Sequence, residues 1–428
     1  MHKDLRPIAA TLKKANAAVA RTYRGETGDR QPVHTVYGGA HLFTAELAPK
    51  LGAIALRALD EHAPTPRTFA DALSLSAHGD LAFAATIRER VVAKLRREPV
   101  EDFRIDFEDG YGNRPDKEED GHAESAAFEV AKGLDAGTLP PFIGIRIKPL
   151  SAELHVRSLR TLDVFLTTLA RTTRRRLPPN FVITVPKLMT PAHVGAVAAA
   201  CRVLERRLRL EAGALALELM IETPQSILAP DGTSALRALV AAGGGRVRGA
   251  HFGTYDYTAL CGITASWQRM RHQVCDFAKH MMQVSLAQSG LWLSDGATNI
   301  LPVPPDVHPA WKIHFDDVQH SLVNGYYQGW DLHPAQLPTR YAAVYAFFLS
   351  ALPAATARLR NFVEKAAQAT LVGDVFDDAA TGQGLLNFFV RGLNSDALTL
   401  QEAAATGLTS AELQGRSFLN ILEARKKR

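Results

Sequence analysis

Two stretches decide how this chain is read: LALELMIETP at residues 215–224 and RGAHFGTYD at residues 248–256. Each holds a short, nearly continuous apolar run, the pattern of a strand covered on both faces. Each run delivers a carboxylate at its end, Glu222 in the first and Asp256 just beyond the second. Thr223-Pro224 and Gly253 follow closely, and such residues punctuate a chain leaving a strand. The two carboxylates stand one strand–helix–strand unit apart. Working outward, similar β-rich runs occur at residues 34–37, 103–107, 143–147, 181–185, 298–301 and 329–332. Amphipathic stretches separate them, such as residues 192–210, where apolar side chains recur at helical spacing with arginines opposite. Eight strands alternating with helices predict an α/β fold, a closed parallel (β/α)8 TIM barrel.

Three parts fall outside that count. Residues 1–30 read as an N-terminal helical extension followed by a polar loop, and the barrel as residues 31–338. The segment from about 46 to 98 is longer than one crossover needs and reads as a helical insertion of two or three helices. Residues 339–428 read as helices only, a C-terminal lid or oligomer contact. Its last helix is capped by Thr409 or Ser410, with Leu413, Phe418 and Ile421 on its apolar face.

A hydrophobic fraction of 46% with 22% charged residues is ordinary for a soluble domain. No apolar run reaches the roughly 20 residues of a membrane span, and the first 30 residues hold no apolar signal segment, so a cytoplasmic protein with no membrane role is expected. Three cysteines, none in a CxxC pair, give no disulfide framework or zinc site. The net charge of +5 comes largely from local runs such as residues 171–176. No aromatic residues interleave with that run, so it reads as a solvated helix end and not as a nucleic-acid surface. Phosphates of a small substrate are the other use such a run could have.

In a TIM barrel the chemistry sits at the carboxyl ends of the strands. The second strand ends in Asp106-Phe107-Glu108-Asp109-Gly110, three carboxylates that repel one another unless a cation offsets them. Arg146 stands between apolar residues in the third strand, where it needs a carboxylate or an anionic substrate. The fourth ends in Pro186-Lys187, a lysine that points into the mouth or snorkels outward. Glu222 and Asp256 on adjacent strands make a hard-oxygen pair suited to Mg²⁺. The eighth strand leads into His333-Pro334-Ala335-Gln336. No HExxH, Walker-A loop or GxSxG elbow is present.

In this order the motifs resemble the HpcH/HpaI aldolase/citrate lyase superfamily, which includes citrate lyase β subunits and the malyl- and citramalyl-CoA lyases. The family's Asp-Leu-Glu-Asp is similar to Asp106-Phe107-Glu108-Asp109, and its Arg-Ile/Val-Asn to Arg146-Ile147-Lys148. Its Pro-Lys matches Pro186-Lys187, its Glu-Thr matches Glu222-Thr223, and its Phe-Gly-x-x-Asp matches Phe252 to Asp256. Its Asp-Gly after a strand resembles Asp295-Gly296, and its Gly-x-x-x-His-Pro-x-Gln matches Gly329 to Gln336. The chain departs from the pattern at Lys148, where the family has asparagine, and at Gly110, where alanine is usual. It is also much longer than a typical citrate lyase β subunit.

The resemblance implies Mg²⁺ on Glu222 and Asp256, with Arg146, Glu108, Asp109 and Lys187 as catalytic residues. Arg146, Gly253, Thr254, His333 and Gln336 would bind substrate, and the base is left open among Asp295, Glu108 and a residue from a neighbouring chain's C-terminal lid. It further implies a carbon–carbon lyase or aldolase, acting on a citryl-, malyl- or citramalyl-CoA-like 3-hydroxy acyl compound with a 2-oxo acid product, in a homo-oligomer. The alternatives are a CoA-independent 2-oxo acid aldolase, a phosphoenolpyruvate/pyruvate phosphotransferase-like enzyme, and a non-catalytic metabolite-binding barrel.

Overall fold

Strand β1 (His34–Gly39) lies parallel to β2 (Asp102–Asp106). The pairing runs on through β3 (Phe142–Arg146), β4 (Phe181–Val185), β5 (Ala216–Ile221), β6 (Val247–Phe252), β7 (Trp292–Ala297) and β8 (Gln328–Asp331), and β8 pairs back onto β1. The result is a closed parallel barrel in a computed structural model that describes residues 5–75, 80–364, 370–372, 375–377, 379–415, 418 and 421. Helix α1 (Arg6–Thr22) precedes it, and α2 (Leu47–His62), α3 (Pro66–Leu73) and α4 (Leu81–Arg97) fill the first crossover. The next three crossovers hold α5 (Asp116–Ala136), α6 (His155–Thr172) and α7 (Pro191–Leu208). After β5 come α8 (Pro224–Ile227) and α9 (Leu236–Ala242), and after β6 come α10 (Thr254–Leu260) and α11 (Gln273–Leu286). Helix α12 (Val307–Val323) leads to β8, and α13 (Leu337–Glu364), α14 (Ala379–Asn394), α15 (Leu400–Ala404) and α16 (Ser410–Gly415) follow it.

Period-two alternation sorts each strand between shell and lumen. In β2, Phe103 and Ile105 are buried in the main hydrophobic core, while Asp102, Arg104 and Asp106 alternate with them toward the lumen. Burial of such apolar side chains stabilises the barrel by about 2 kcal/mol each. The lumen is layered. Near its foot Arg104 pairs with Glu218 at 2.7 Å and with Asp102, and His251 lies 3.0 Å from Glu218. Thr35 and Gln328 complete this layer, with Thr35 donating to Asp102 at 2.8 Å. Above it Tyr37, Met220 and Trp330 form an apolar layer, the Tyr37 and Trp330 rings 4.5 Å apart. Isolated, these buried charges would be costly; joined, they lock the strand register.

The first crossover holds three helices, as its length implies. Strand β7 lies earlier than the sequence reading placed it. Trp292-Leu-Ser-Asp-Gly-Ala forms the strand, whereas residues 298–301 are the loop beyond it. Ser, Asp and Gly have poor β-propensity, which neighbouring strands override here.

The region after residue 338 is not all helical, because strands β9 (Thr370–Val372) and β10 (Val375–Asp377) pair antiparallel within it. Thr409 does cap α16, accepting from the Glu412 N–H at 3.2 Å, and Leu413, Phe418 and Ile421 are buried. Arg90 and Lys94 on α4 hold Glu402 at 2.6 Å and Asp396 at 2.9 Å, and Arg391 reaches Glu26 at 2.8 Å. These contacts fasten the C-terminal region to the helical shell on the N-terminal side of the barrel. Pro334–Glu364 is long and apolar enough to cross a membrane, which the reading of the sequence had missed. In the fold α13 packs against α4 and α12 and buries Tyr341, Tyr345, Phe348 and Leu359 there. Helix α1 buries none of its residues.

Candidate active site

The carboxyl ends of β2 to β6 converge on one lysine. Lys187 follows β4 with φ of 47°, a left-handed conformation that L residues other than Gly seldom adopt. Its Nζ lies 2.8 Å from Glu108 Oε1, 3.0 Å from Asp256 Oδ2 and 3.6 Å from Asp109 Oδ2. Its own backbone N–H donates to Glu222 Oε1 at 2.6 Å. Glu222 is buried, and the chain at Gly253 passes so close that a Cβ there would lie 2.5 Å from Glu222 Cβ and 2.7 Å from Oε2. Only glycine fits that approach.

Arg146 forms the other side of the cluster. Its Nε and Nη2 donate to the two oxygens of Asp106 at 2.7 and 2.6 Å, a bidentate pair, and Nη1 lies 3.0 Å from Glu108. The guanidinium stacks over the Tyr37 ring at 4.8 Å. Asp106 also accepts from the N–H groups of Glu108 at 2.9 Å and Gly110 at 2.7 Å. A Cβ at Gly110 would sit 2.8 Å from Asp106 Oδ2, which accounts for glycine at this position.

With Asp106 matched to Arg146, four carboxylates (Glu108, Asp109, Glu222 and Asp256) face the single ammonium of Lys187. The imbalance shows in their ionisation. Burial, then the Glu108 carboxylate, pushes Glu222 up to about 8, and Lys187 and Arg146 offset this only in part. Burial likewise raises Glu108 to about 6, against the pull of Arg146. Burial alone would lower Lys187, but Glu222 and Glu108 outweigh it and hold the ammonium well above its ordinary value.

The fold thus gathers Glu108, Asp109, Arg146, Lys187, Glu222 and Asp256, and places Gly253 against Glu222. It assigns other work to several remaining residues. The Gly253 N–H donates to Ile221 O at 3.0 Å, so it is not available to a substrate. Among the described residues, the buried Thr254 Oγ1 has no hydrogen-bond partner. Gln336 Oε1 accepts from the N–H groups of Leu332 and His333 at 2.8 and 3.2 Å, and its Nε2 donates to Thr298 O at 2.9 Å. His333 Nδ1 accepts from the Ala335 N–H at 3.2 Å. Both side chains pin the loop after β8, and among the described residues no contact joins them to the cluster.

Asp295, expected after a strand, lies inside β7 and faces the helical shell. There it pairs with Lys279 at 2.9 Å and accepts from Ser321 at 2.7 Å, which removes it as a base. Lys148 donates to the carbonyls of Phe107 and Gly112 at 2.8 and 2.9 Å and so holds the acidic loop in place. Sequence reasoning missed Tyr37 and gave Asp106 no role. The signal for Asp106 was its lumen-facing parity with Asp102 and Arg104.

The domain family described as DUF6986, a domain of unknown function, matches residues 12–421. No curated protein matches the chain by sequence. Among solved structures, a citrate lyase from Burkholderia xenovorans LB400 aligns with a TM-score of 0.57 at 20% identity, over 75% of this chain and 92% of that one. Haloferax volcanii malate synthase aligns at 0.49 and 13% identity, over 92% of this chain and 99% of that one. The protein CitE from Mycobacterium tuberculosis, in complex with magnesium and acetate, aligns at 0.41 and 14% identity, over 72% and 89%. The first of these shows a shared barrel fold.

Proposed function

We propose that this chain, which belongs to the DUF6986 family, is a divalent-metal-dependent carbon–carbon lyase or aldolase. It would act on a 3-hydroxy acyl compound and release a 2-oxo acid. The observation that carries the reading is the ring of carboxylates around Lys187 with Arg146 at its edge. The motifs in register along the chain and the fold shared with a citrate lyase support it.

The donor set fits a hard cation. Glu108, Asp109, Glu222 and Asp256 outnumber the one ammonium among them, and Glu222, pushed up to about 8 by burial and by Glu108, is offset only in part by Lys187 and Arg146. Among the described residues no group of three His, Cys, Asp or Glu side chains is gathered tightly enough to hold a metal by itself. Glu222 and Asp256 would therefore hold Mg²⁺ with the other positions left to water and substrate oxygens, as this ion prefers. When bound, the ion supplies Lewis acidity to an oxygen that gains charge as the carbon–carbon bond breaks.

The chain's own groups do the rest. Arg146, fixed by Asp106 and the Tyr37 ring, sets a permanent positive charge beside the substrate anion. Glu108, near 6, holds or releases a proton at its carboxyl oxygens close to neutral pH. Lys187 keeps Glu108 and Asp256 together and stays charged.

The test incubates the full chain and Mg²⁺ with malyl-, citramalyl- and citryl-CoA beside the corresponding free acids, trapping glyoxylate, pyruvate or oxaloacetate as hydrazones. Product from a thioester, absent with Glu222→Gln, is the expected result. Product from free acids alone makes the chain a CoA-independent aldolase. No product from any compound, with the parent and Glu222→Gln alike, overturns the reading.

A further inference from the structure

The foot of the barrel, opposite the carboxylate cluster, carries its own chemistry. Helices α6 and α7 end side by side there. Arg171, Arg174 and Arg175 from one and Arg207 and Arg209 from the other line a single groove of about 580 Å³. From the sequence the first run reads as a solvated helix end; the second set of arginines becomes its neighbour only on folding. Arg174, Arg175 and Arg209 hold left-handed φ of 53°, 70° and 56°, where glycine is the usual residue. Arg207 pairs with Asp163. Among the described residues, Arg171, Arg174, Arg175 and Arg209 have no carboxylate within ion-pair distance. Helix C-terminal carbonyls offset part of the repulsion. A guanidinium excess this concentrated still favours an anion, and the planar fork of arginine matches phosphate best.

A cavity of about 370 Å³ opens beside the groove, at the N-terminal ends of the strands. Pro178 and Gly213 line it, and they follow Arg175 by three residues and Arg209 by four. Three residues span about 11 Å at full extension, a distance that a sugar and phosphate chain bridge. Phe142 and Trp292, from strands on opposite sides of the barrel, meet here edge to face at 5.8 Å and offer an aromatic wall. The inner end holds His251, buried, with Nε2 3.0 Å from Glu218 Oε2. The cavity thus presents an aromatic wall, which suits a flat heterocycle.

We propose that this face binds a nucleotide, its phosphates on the arginine groove and its base against the aromatic wall of the cavity. The adjoining cavity favours a small soluble ligand over a nucleic-acid strand, which asks for a track of stacking side chains. The site is independent of the catalytic reading.

The test is calorimetric titration of the full chain in EDTA with ATP, tripolyphosphate and a single-stranded oligonucleotide. ATP is expected to bind saturably and at least tenfold more tightly than tripolyphosphate. Arg174→Gln with Arg175→Gln, both exposed, is expected to weaken ATP at least tenfold with an unchanged melting temperature. Equal affinity for ATP and tripolyphosphate, undiminished ATP binding in the double variant, or tighter binding of the oligonucleotide would each overturn the proposal.

Discussion

Replacing Glu222 by glutamine is expected to change how stability depends on pH, in a direction the site dictates. In the folded chain without metal, burial and the neighbouring Glu108 carboxylate hold the Glu222 carboxyl near 8, against an ordinary value of 4.5. Between those values the folded state keeps a proton that the unfolded state has released. Rising pH therefore removes stability until the folded carboxyl also ionises. The loss approaches about 1.4 kcal/mol per pH decade and tapers as the folded carboxyl itself ionises near 8, so it is about 2 kcal/mol between pH 6 and pH 8 and levels off above that. Glutamine keeps the shape and the acceptor for the Lys187 N–H but cannot ionise. The stability of Glu222→Gln relative to the parent is then expected to grow by about 2 kcal/mol from pH 6 to pH 8. Urea unfolding in EDTA, followed by circular dichroism, measures this. Saturating Mg²⁺ at pH 8 is expected to stabilise the parent and not the variant, since a ligand stabilises the state it binds. A difference that stays flat between pH 6 and pH 8 would refute the reasoning.

Gly253→Ala is expected to cost about 1–3 kcal/mol through overpacking, because the new Cβ meets Glu222 Cβ at 2.5 Å. Turnover is expected to fall at least tenfold with the displaced carboxylate, and parent-like kinetics would show that the approach of β6 to Glu222 is not needed. Asp295→Asn is expected to cost about 3 kcal/mol by weakening the buried pair with Lys279, while kcat at a temperature where the variant is folded stays within a few-fold. A large loss of kcat without loss of stability would return Asp295 to the chemistry.

Most of the barrel was legible because parallel strands covered on both faces leave continuous apolar runs, as at Phe181–Val185 and Ala216–Ile221. Strand β7 was not, for a reason its residues make plain. Ser294 sits in the strand, Asp295 turns to Lys279, and Gly296 is required because a Cβ there would lie 2.3 Å from Thr254 Oγ1. Asp295 and Gly296 each answer a neighbour distant in sequence, so the local pattern mimics a turn. The pair of short strands between residues 370 and 377 escaped for the opposite reason, since segments of three residues carry too little periodicity to stand out from helix.

The same distinction separates what was readable in the site from what was not. A carboxylate at the end of an apolar run announces its position, so Glu108, Glu222 and Asp256 could be placed before any coordinates. Their division of labour could not, because it depends on which cation each one meets. Arg146 looked like a free anion receptor, yet two of its three nitrogens are held by Asp106, and only Nη1 faces Glu108 and the cluster. Lys187 looked equally able to point outward. Its left-handed backbone instead turns the N–H to Glu222 while the ammonium spans Glu108 and Asp256. Charge is matched at Asp106 and left unmatched one turn of chain later, and that mismatch, rather than any single residue, is what the proposed cation and anionic substrate would answer.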